Sequence, residues 1–270
     1  FDQPVDRLRA AQQGQGGAVT ASGRLAPVTP VPAELAAPLA ADLRLLCRLH
    51  DREVDAALIA DLRSRPARDW FGLALSDAAA TTGFGLLDRA LADMPEPVDT
   101  QTLDALAADF ADIYLTFGAR VAPNESYWRT EDHLERQDPM FAVRAWYAHY
   151  GLAAQDWRKR ADDHLIHEME FVAALLEQNA PHAHRDAARF LDRHLLAWAP
   201  AFFAGVAAHA MTQFYAGLAL VTLGHLQATR DLLESMTGEP RTVVSMVPDA
   251  KCGGPAQQVT SFMPGTGPGW

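Results

Sequence analysis

Residues 99–117 read DTQTLDALAADFADIYLTF, and this stretch is the clearest indication of the fold class. Asp99 is of a type that favours the N-cap of a helix. After it, apolar residues recur at steps of three and four and share one helical face: Leu103, Leu106, Phe110, Ile113, Tyr114 and Phe117. Asp104, Asp109 and Asp112 lie largely away from that face. The pattern predicts an amphipathic helix packed on a core.

The same periodicity continues on both sides of this stretch. Further helices are predicted at 33–50, 53–63, 70–94, 139–150, 156–178, 182–198 and 201–236, the last with breaks. The body shows no convincing two-residue alternation of the kind that half-buried strands have, which disfavours βαβ and sandwich folds. We therefore predict an all-α fold, a single helical-bundle domain with flexible N- and C-terminal arms.

Glycine and proline mark the predicted domain boundaries. Residues 1–33 form a flexible N-terminal arm, residues 34–237 the all-helical domain, and residues 238–270 a Gly/Pro-rich C-terminal tail. Inside the domain, residues 118–139 are the longest polar connection. Loops of that length in a compact domain tend to be functional or to act as hinges.

Charge and cysteine content exclude some classes of function. The 270 residues carry a formal net charge of −11, which disfavours nucleic acid as a partner and favours a basic ligand or peptide. Two cysteines are too few for a disulfide scaffold or a zinc cluster, and they indicate a reducing compartment.

One segment is long enough to span a membrane. Residues 195–229 carry no formal charge, and a bilayer-spanning helix needs about 20 apolar residues. Pro200, His209, Gln213 and several glycines interrupt the segment, however. We predict a pair of buried helices and no membrane insertion.

An acidic cluster with histidine is the candidate for chemistry. Asp162, Asp163 and His164 are followed by Glu168, and His164 and Glu168 are four residues apart, an acceptable spacing for metal ligands on a helix. One hypothesis is a helical metalloprotein enzyme that uses Asp163, His164 and Glu168. The alternative is that Asp162 and Asp163 only stabilise the N-terminus of a helix through its dipole. The common nucleotide-binding, hydrolase and zinc-protease motifs are absent from the sequence.

Four segments resemble, in order and spacing, the TorD-like family of cytoplasmic maturation chaperones for molybdoenzymes. They are 110-FADIYL-115, 122-APNESYW-128, 162-DDHLIHEMEFVAALL-176 and 190-FLDRHLLAWAPAFFAGVAAHAMTQFYAGLA-219. Together the resemblance extends over about residues 34–236. The chain departs from the family's Pro-x-Asp-His pattern at Ala161, which stands where the family has proline.

The resemblance implies a cytoplasmic chaperone that is not an enzyme and has no cofactor of its own. It would bind the apo catalytic subunit of a dimethyl-sulfoxide-reductase-type molybdoenzyme, together with that subunit's twin-arginine signal peptide, aiding cofactor insertion and delaying export. Asp163 and His164 would be the motif pair. The implied peptide-binding surface also includes Phe110, Ile113, Tyr114, Pro123, Glu125, Ser126 and Tyr127.

The charges agree with this expectation, although other interpretations stay open. Asp162, Asp163 and Glu168 could each pair with a guanidinium, which a carboxylate binds through two parallel hydrogen bonds. Phe110 and Ile113 could equally belong to an ordinary core face, and the Asp-His pair could serve as a cap and hinge. The chain could also remain bound as a structural subunit of its client complex. It could be a monomer or a dimer that exchanges domains through the loop.

Overall fold

The all-α prediction is confirmed by the computed structural model, which describes residues 8–10, 31–116, 121–178 and 180–243. Its helices are α1 (Ala33–Asp51), α2 (Ala56–Arg63), α3 (Ala78–Asp93), α4 (Thr100–Tyr114), α5 (Glu125–Arg129), α6 (Asp138–His149), α7 (Leu165–Glu177), α8 (Pro181–Phe190), α9 (Leu196–His209) and α10 (Gln213–Thr237). A 3₁₀ turn at Ala67–Trp70 precedes α3, and a π-helical turn at Leu191–Leu195 joins α8 to α9. Two short strands, β1 (Leu8–Ala10) and β2 (Leu152–Ala154), pair antiparallel.

The core forms around α10, which packs against α3 and α9, while α1 packs against α7. Helices α3 and α10 approach each other closely because glycines face each other at the contact. A Cβ atom added to Gly83 would lie 2.8 Å from the carbonyl oxygen of Gly217, and one added to Gly217 would lie 2.7 Å from that of Gly83. Side chains at these positions would separate the two backbones.

Aspartates begin three of the helices. The carboxylates of Asp55, Asp77 and Asp99 each accept a hydrogen bond at 2.8 Å from the main-chain N–H three residues later. The cap at Asp99 is the one that the sequence predicts. Helix α10 ends at Gly238, whose φ of 69° lies in the left-handed region that favours glycine.

Asp109 corrects one prediction about α4. It was expected to lie largely away from the apolar face, yet it is buried. Its carboxylate accepts hydrogen bonds from the main-chain N–H groups of Met211 and Thr212, at 3.0 and 2.8 Å, and from the Thr212 hydroxyl. A buried carboxylate with three donors is stable, and here it fixes the turn between α9 and α10.

Two predicted boundaries are wrong. The helix expected from residue 156 begins only at Leu165, because Gly151 (φ 66°), strand β2 and a series of turns occupy residues 151–163. The helix expected from residue 70 begins at Ala78. Within the predicted N-terminal arm, Leu8–Ala10 forms a strand and Leu8 is buried.

The uncharged segment 195–229 forms α9 and the first part of α10, which are separated by residues 210–212. Pro200 lies inside α9 and does not end it. Among the helices that the structure describes, none combines the length and the apolar character needed to cross a bilayer.

The glycine contact between α3 and α10 yields a prediction about stability. Gly83→Ala should lower the free energy of unfolding by about 1–3 kcal/mol, because its methyl group overlaps the backbone of α10. Gly85→Ala in the same helix is the control, since its Cβ would meet only the end of the Arg89 side chain at 3.4 Å. Alanine there should raise stability by up to about 1 kcal/mol. Urea denaturation measures both, and equal effects would contradict the proposed close contact.

Candidate functional site

The segment that leads into α5 runs antiparallel to the segment that leads into α7. The main-chain N–H of Glu125 donates to the carbonyl of Asp163 at 3.0 Å, and the N–H of Leu165 donates to the carbonyl of Pro123 at 2.8 Å. Two of the four segments that carry the resemblance are therefore in direct contact. They bring together Glu125, Ser126, Asp163 and the first turn of α7.

The Asp163 side chain anchors α5. Its Oδ2 atom accepts a hydrogen bond from the main-chain N–H of Ser126 at 2.7 Å and another from the Ser126 hydroxyl. The Ser126 Oγ in turn accepts the N–H of Gln137 at 3.1 Å. Asp163 therefore positions both the start of α5 and, through Ser126, the residue that precedes α6.

Glu125 is fully buried and has two cationic or donor partners. Its Oε1 pairs with the Arg129 guanidinium, and its Oε2 lies 2.8 Å from Nδ1 of His194. An ionised carboxylate only accepts hydrogen bonds, so Nδ1 of His194 carries the hydrogen. Arg129 also donates to the carbonyl of Arg193 at 2.9 Å. The π-helical turn thus supplies two contacts to α5.

Glu168 adds a third carboxyl group to the cluster. Its Oε2 accepts a hydrogen bond from the indole N–H of Trp198 at 3.1 Å. Within the described part of the chain, Oε1 of Glu168 and Oδ1 of Asp163 are buried without a hydrogen-bond partner. Because such atoms lose their hydration without compensation, they are the natural acceptors for an incoming donor.

Burial also changes the acidity of these groups. It raises the pKa of Asp163 to about 6, partly offset by the hydrogen bonds from Ser126. Burial raises the pKa of Glu168 well above its ordinary value, and the charges of Glu125 and Asp163 raise it further. Burial therefore disfavours the charged form of Glu168, and Asp163 titrates just below neutrality. The cluster holds more carboxyl groups than its resident cations neutralise.

The other motif residues point in different directions. Asp162 faces α6, where its carboxylate pairs with Arg144 at 2.7 Å and its carbonyl accepts the Tyr147 hydroxyl at 2.9 Å. His164 is the N-cap of α7, and its Nδ1 accepts the main-chain N–H of Ile166 at 3.2 Å.

The metalloprotein hypothesis has no ligand cluster to support it. No group of three or more His, Cys, Asp or Glu side chains in the described ranges is arranged to hold a metal ion. Asp163, His164 and Glu168 each contact a different partner, namely Ser126, the main chain of Ile166 and Trp198. Although these residues are close in the sequence, their side chains therefore do not meet at one position where they could coordinate a metal ion.

Three predicted peptide-binding residues lie away from this cluster and are buried. Phe110, Ile113 and Tyr114 of α4 belong to the core, and the ring centroids of Phe110 and Tyr114 are 4.8 Å apart. The Tyr114 hydroxyl contacts Nδ1 of His50, and burial lowers the pKa of that imidazole to about 3. In this conformation the three side chains present almost no surface to a peptide.

The surface beside the cluster is formed by the connection between α5 and α6. Pro123 is buried and Tyr127 is half-buried. Leu134 and Trp157 are 55% and 50% exposed. The connection contacts the segment before α7 where Arg136 donates to the carbonyl of Arg158 at 3.3 Å. Leu134 and Trp157 thus expose apolar surface on the connection that follows α5 and on the segment that precedes α7.

Sequence reasoning assigned no role to Arg129, His194 or Trp198. His194 and Trp198 lie inside the segment 190–219 that carries part of the resemblance, but their contact with Glu125 and Glu168 depends on how the π-helical turn orients them. Arg129 follows Glu125 by four residues, the spacing at which side chains on one helix meet. This spacing is the feature of the sequence from which the ion pair between Glu125 and Arg129 could have been predicted.

Comparisons with known proteins point in one direction. Residues 76–204 match a protein family described as nitrate reductase delta subunit, and this range contains both segments of the site. Proteins named chaperone protein TorD from Vibrio vulnificus strains YJ016 and CMCP6 are each 28% identical to the chain over 153 residues. The alignment covers 53% of this chain and 70% of each relative.

The buried Asp163 yields a prediction about pH. In the unfolded chain its pKa returns to 3.8, so between about pH 4 and pH 6 the unfolded state releases a proton that the folded state keeps. The free energy of unfolding should therefore fall as pH rises through this window, by at most about 3 kcal/mol. Asp163→Asn removes this contribution, so the stability of the variant relative to wild type should increase from pH 4 to pH 6.

Urea denaturation across this pH range measures that difference. Asp61→Asn, on the exposed side of α2, makes the same chemical change without a buried carboxyl group. Its stability relative to wild type should vary much less with pH. Parallel pH profiles for wild type and Asp163→Asn would show that Asp163 is not desolvated in solution.

Proposed function

We propose that this chain is a molybdoenzyme maturation chaperone similar to the TorD proteins, and that its acidic cluster captures the twin-arginine signal peptide of an apo catalytic subunit. The relatives that it matches are named chaperones, which favours action by binding over the metalloprotein-enzyme alternative. The client is a molybdoenzyme of the dimethyl-sulfoxide-reductase type. Capture in the cytoplasm delays its export until the molybdenum cofactor is inserted.

One observation carries this proposal. Glu125, Asp163 and Glu168 come from two segments of the family resemblance and form one buried group, in which Asp163 Oδ1 and Glu168 Oε1 are without partners in the described part of the chain. A guanidinium presents several donors in a planar fork, which suits buried carboxyl oxygens that have no hydrogen-bond partner among the described residues. An arginine of the chain itself, Arg129, is already bound at the edge of the group.

Access to the cluster requires movement of α5. The Arg129 side chain is 24% exposed and marks the side on which the cluster approaches solvent. The contacts that hold α5 over the cluster include the Asp163–Ser126 hydrogen bonds, the Glu125–His194 contact, the hydrogen bond from Arg129 to the Arg193 carbonyl and the main-chain bridge. We propose that the connection between α4 and α6 acts as a hinge, and that client arginines enter next to Arg129.

The apolar part of the signal peptide has a place beside the cluster. Leu134 and Trp157 expose about half of their surface, and Phe141 at the start of α6 is also exposed. Grooves that bind a peptide helix through its apolar residues are a recurring mode of recognition. A peptide with arginines at one end and apolar residues beyond them would contact both features at once.

Arginine binding should release protons. A guanidinium beside Asp163 and Glu168 favours their charged forms, and so lowers pKa values that burial has raised. At pH 6, titration calorimetry in two buffers with different ionisation enthalpies should give different observed enthalpies of binding for a twin-arginine peptide. A twin-lysine peptide keeps the charge but lacks the planar fork, and it should bind less tightly.

Glu168→Gln is the variant that tests the site. Glutamine keeps the size of the side chain and an oxygen for the Trp198 indole, and burial already disfavours the charged form of Glu168 in the free protein, so the fold should be retained. Losing a charge-assisted hydrogen bond should weaken twin-arginine peptide binding by about tenfold to a hundredfold and reduce the proton release. Asp61→Asn is the control for net charge.

Two results would contradict the proposal. Equal affinity for twin-arginine and twin-lysine peptides would show that the fork geometry is not recognised. Unchanged affinity in Glu168→Gln would place the binding surface elsewhere on the chain. The matching family's description as a subunit also suggests a second role, in which the chain stays bound to its client. Co-purification with a cofactor-loaded catalytic subunit would support that role.

A further inference from the structure

A strand from the N-terminal region is docked on the helical domain. Strand β1 pairs antiparallel with β2, and the paired positions are Leu8 with Ala154, Arg9 with Ala153 and Ala10 with Leu152. The Leu8 side chain is only 2% exposed, and β1 also contacts α7. The main chain of β1 is therefore held by strand pairing, and one apolar side chain fills a pocket.

The docked strand is attached to the domain through a long connection. Residues 11–30 separate Ala10 from Val31, and this stretch is rich in glycine. Val31 is buried, and its main-chain N–H donates to Nδ1 of His184 at 3.0 Å. Twenty residues can span up to about 66 Å, so the connection itself does not confine β1 to β2.

The pairing is small enough to be exchanged. It consists of three residues on each strand and one buried leucine, and a two-stranded sheet is only marginally stable on its own. When β1 leaves, the paired edge of β2 and the Leu8 pocket are uncovered. An uncovered strand edge readily pairs with another extended segment.

The position of β2 connects this edge to the candidate site. Strand β2 ends at Ala154, and the segment that follows it leads to Asp163. Several contacts anchor that segment, among them Asp156 with His167 at 3.0 Å and Arg160 with Asp51 at 2.7 Å. A peptide paired with β2 would lie on the same segment of chain that carries the acidic cluster.

We infer that β2 and the Leu8 pocket form a docking site for an extended peptide with an apolar side chain next to arginine, and that β1 occupies this site in cis. The sequence Arg7-Leu8-Arg9 of the resident segment defines the chemistry, and a chain with net charge −11 attracts basic peptides. Binding by strand addition is an established mode of peptide recognition. The inference rests on the proposed function in one respect only: the natural peptide that competes with β1 for this site would be the client's signal peptide.

The connection gives β1 an advantage over a competing peptide. A segment tethered to its binding site within the same chain acts at an effective concentration on the order of millimolar. Burying a leucine side chain favours the docked state by about tenfold to a hundredfold. A competing segment must therefore bind more tightly than β1, so that only a well-matched peptide opens the site.

Full-length Leu8→Asp should open the docking site without removing it. The probe is a fluorescein-labelled peptide with residues 4–13 of this sequence, PVDRLRAAQQ. By fluorescence anisotropy it should bind Leu8→Asp at least about tenfold more tightly than wild type. Val19→Asp adds the same charge within the connecting residues and should bind like wild type. A probe with proline in place of Arg9 should not bind, because proline cannot complete the strand pairing.

The outcome that overturns the inference is equal probe affinity for wild type and Leu8→Asp with unchanged helical circular dichroism. If Leu8→Asp loses helicity, Leu8→Ser tests the same site with a smaller change. A twin-arginine peptide that displaces the probe from Leu8→Asp supports the shared site. If a twin-arginine peptide binds without displacing the probe, the inferred competition between signal peptide and β1 is wrong, whereas the proposed function is not contradicted.

Discussion

Oδ2 of Asp163 accepts two hydrogen bonds from Ser126, and through them the segment before α7 holds α5 against the helical domain. The same arrangement recurs at other places in the fold. Asp42 accepts the main-chain N–H groups of Gly72 and Leu73, and Asp109 accepts those of Met211 and Thr212. In each case a buried carboxylate accepts hydrogen bonds from the main chain of a segment that is distant in sequence. The helices form the core, and these carboxylates determine how the connections are attached to it.

This use of acidic residues changes the meaning of the net charge. Nine of the acidic residues that the structure describes are buried: Asp42, Asp51, Asp109, Glu125, Asp162, Asp163, Glu168, Glu170 and Asp192. Some neutralise buried cations, as Asp192 does with Arg230, through two hydrogen bonds at 2.8 Å. The acidity of the chain is therefore partly internal. Under the proposed function, the buried acidic cluster must become accessible before it can contribute to the attraction of a basic peptide.

Helical periodicity predicted most of the helices, because their apolar stripes are long and regular, but it did not predict α5, which lies within the predicted polar connection. It could not place the start of α7, since the apolar pattern carries no sign of strand β2 or of the turns up to Asp163. The resemblance named Glu125, Ser126 and Asp163, which the structure brings into contact, and their role in binding a peptide stays a prediction. It did not reveal His194 or Trp198, because a π-helical turn rotates the following side chains in a way that residue spacing does not encode. The prediction for Asp109 was wrong because a polar residue at the edge of an apolar stripe is buried only when hydrogen-bond donors from another part of the chain contact it. Here those donors are Met211 and Thr212.

The acidic cluster is assembled from parts of the chain that are far apart in sequence. Glu125 lies 69 residues from His194, and Glu168 lies 30 residues from Trp198. Contacts of such separation form only after the intervening segments have lost most of their freedom. A newly synthesised chain therefore lacks the acidic cluster until α5, α7 and α9 have docked. Under the proposed function, the protein must complete its own folding before it can bind a client, and a damaged copy that has lost this packing would release that client.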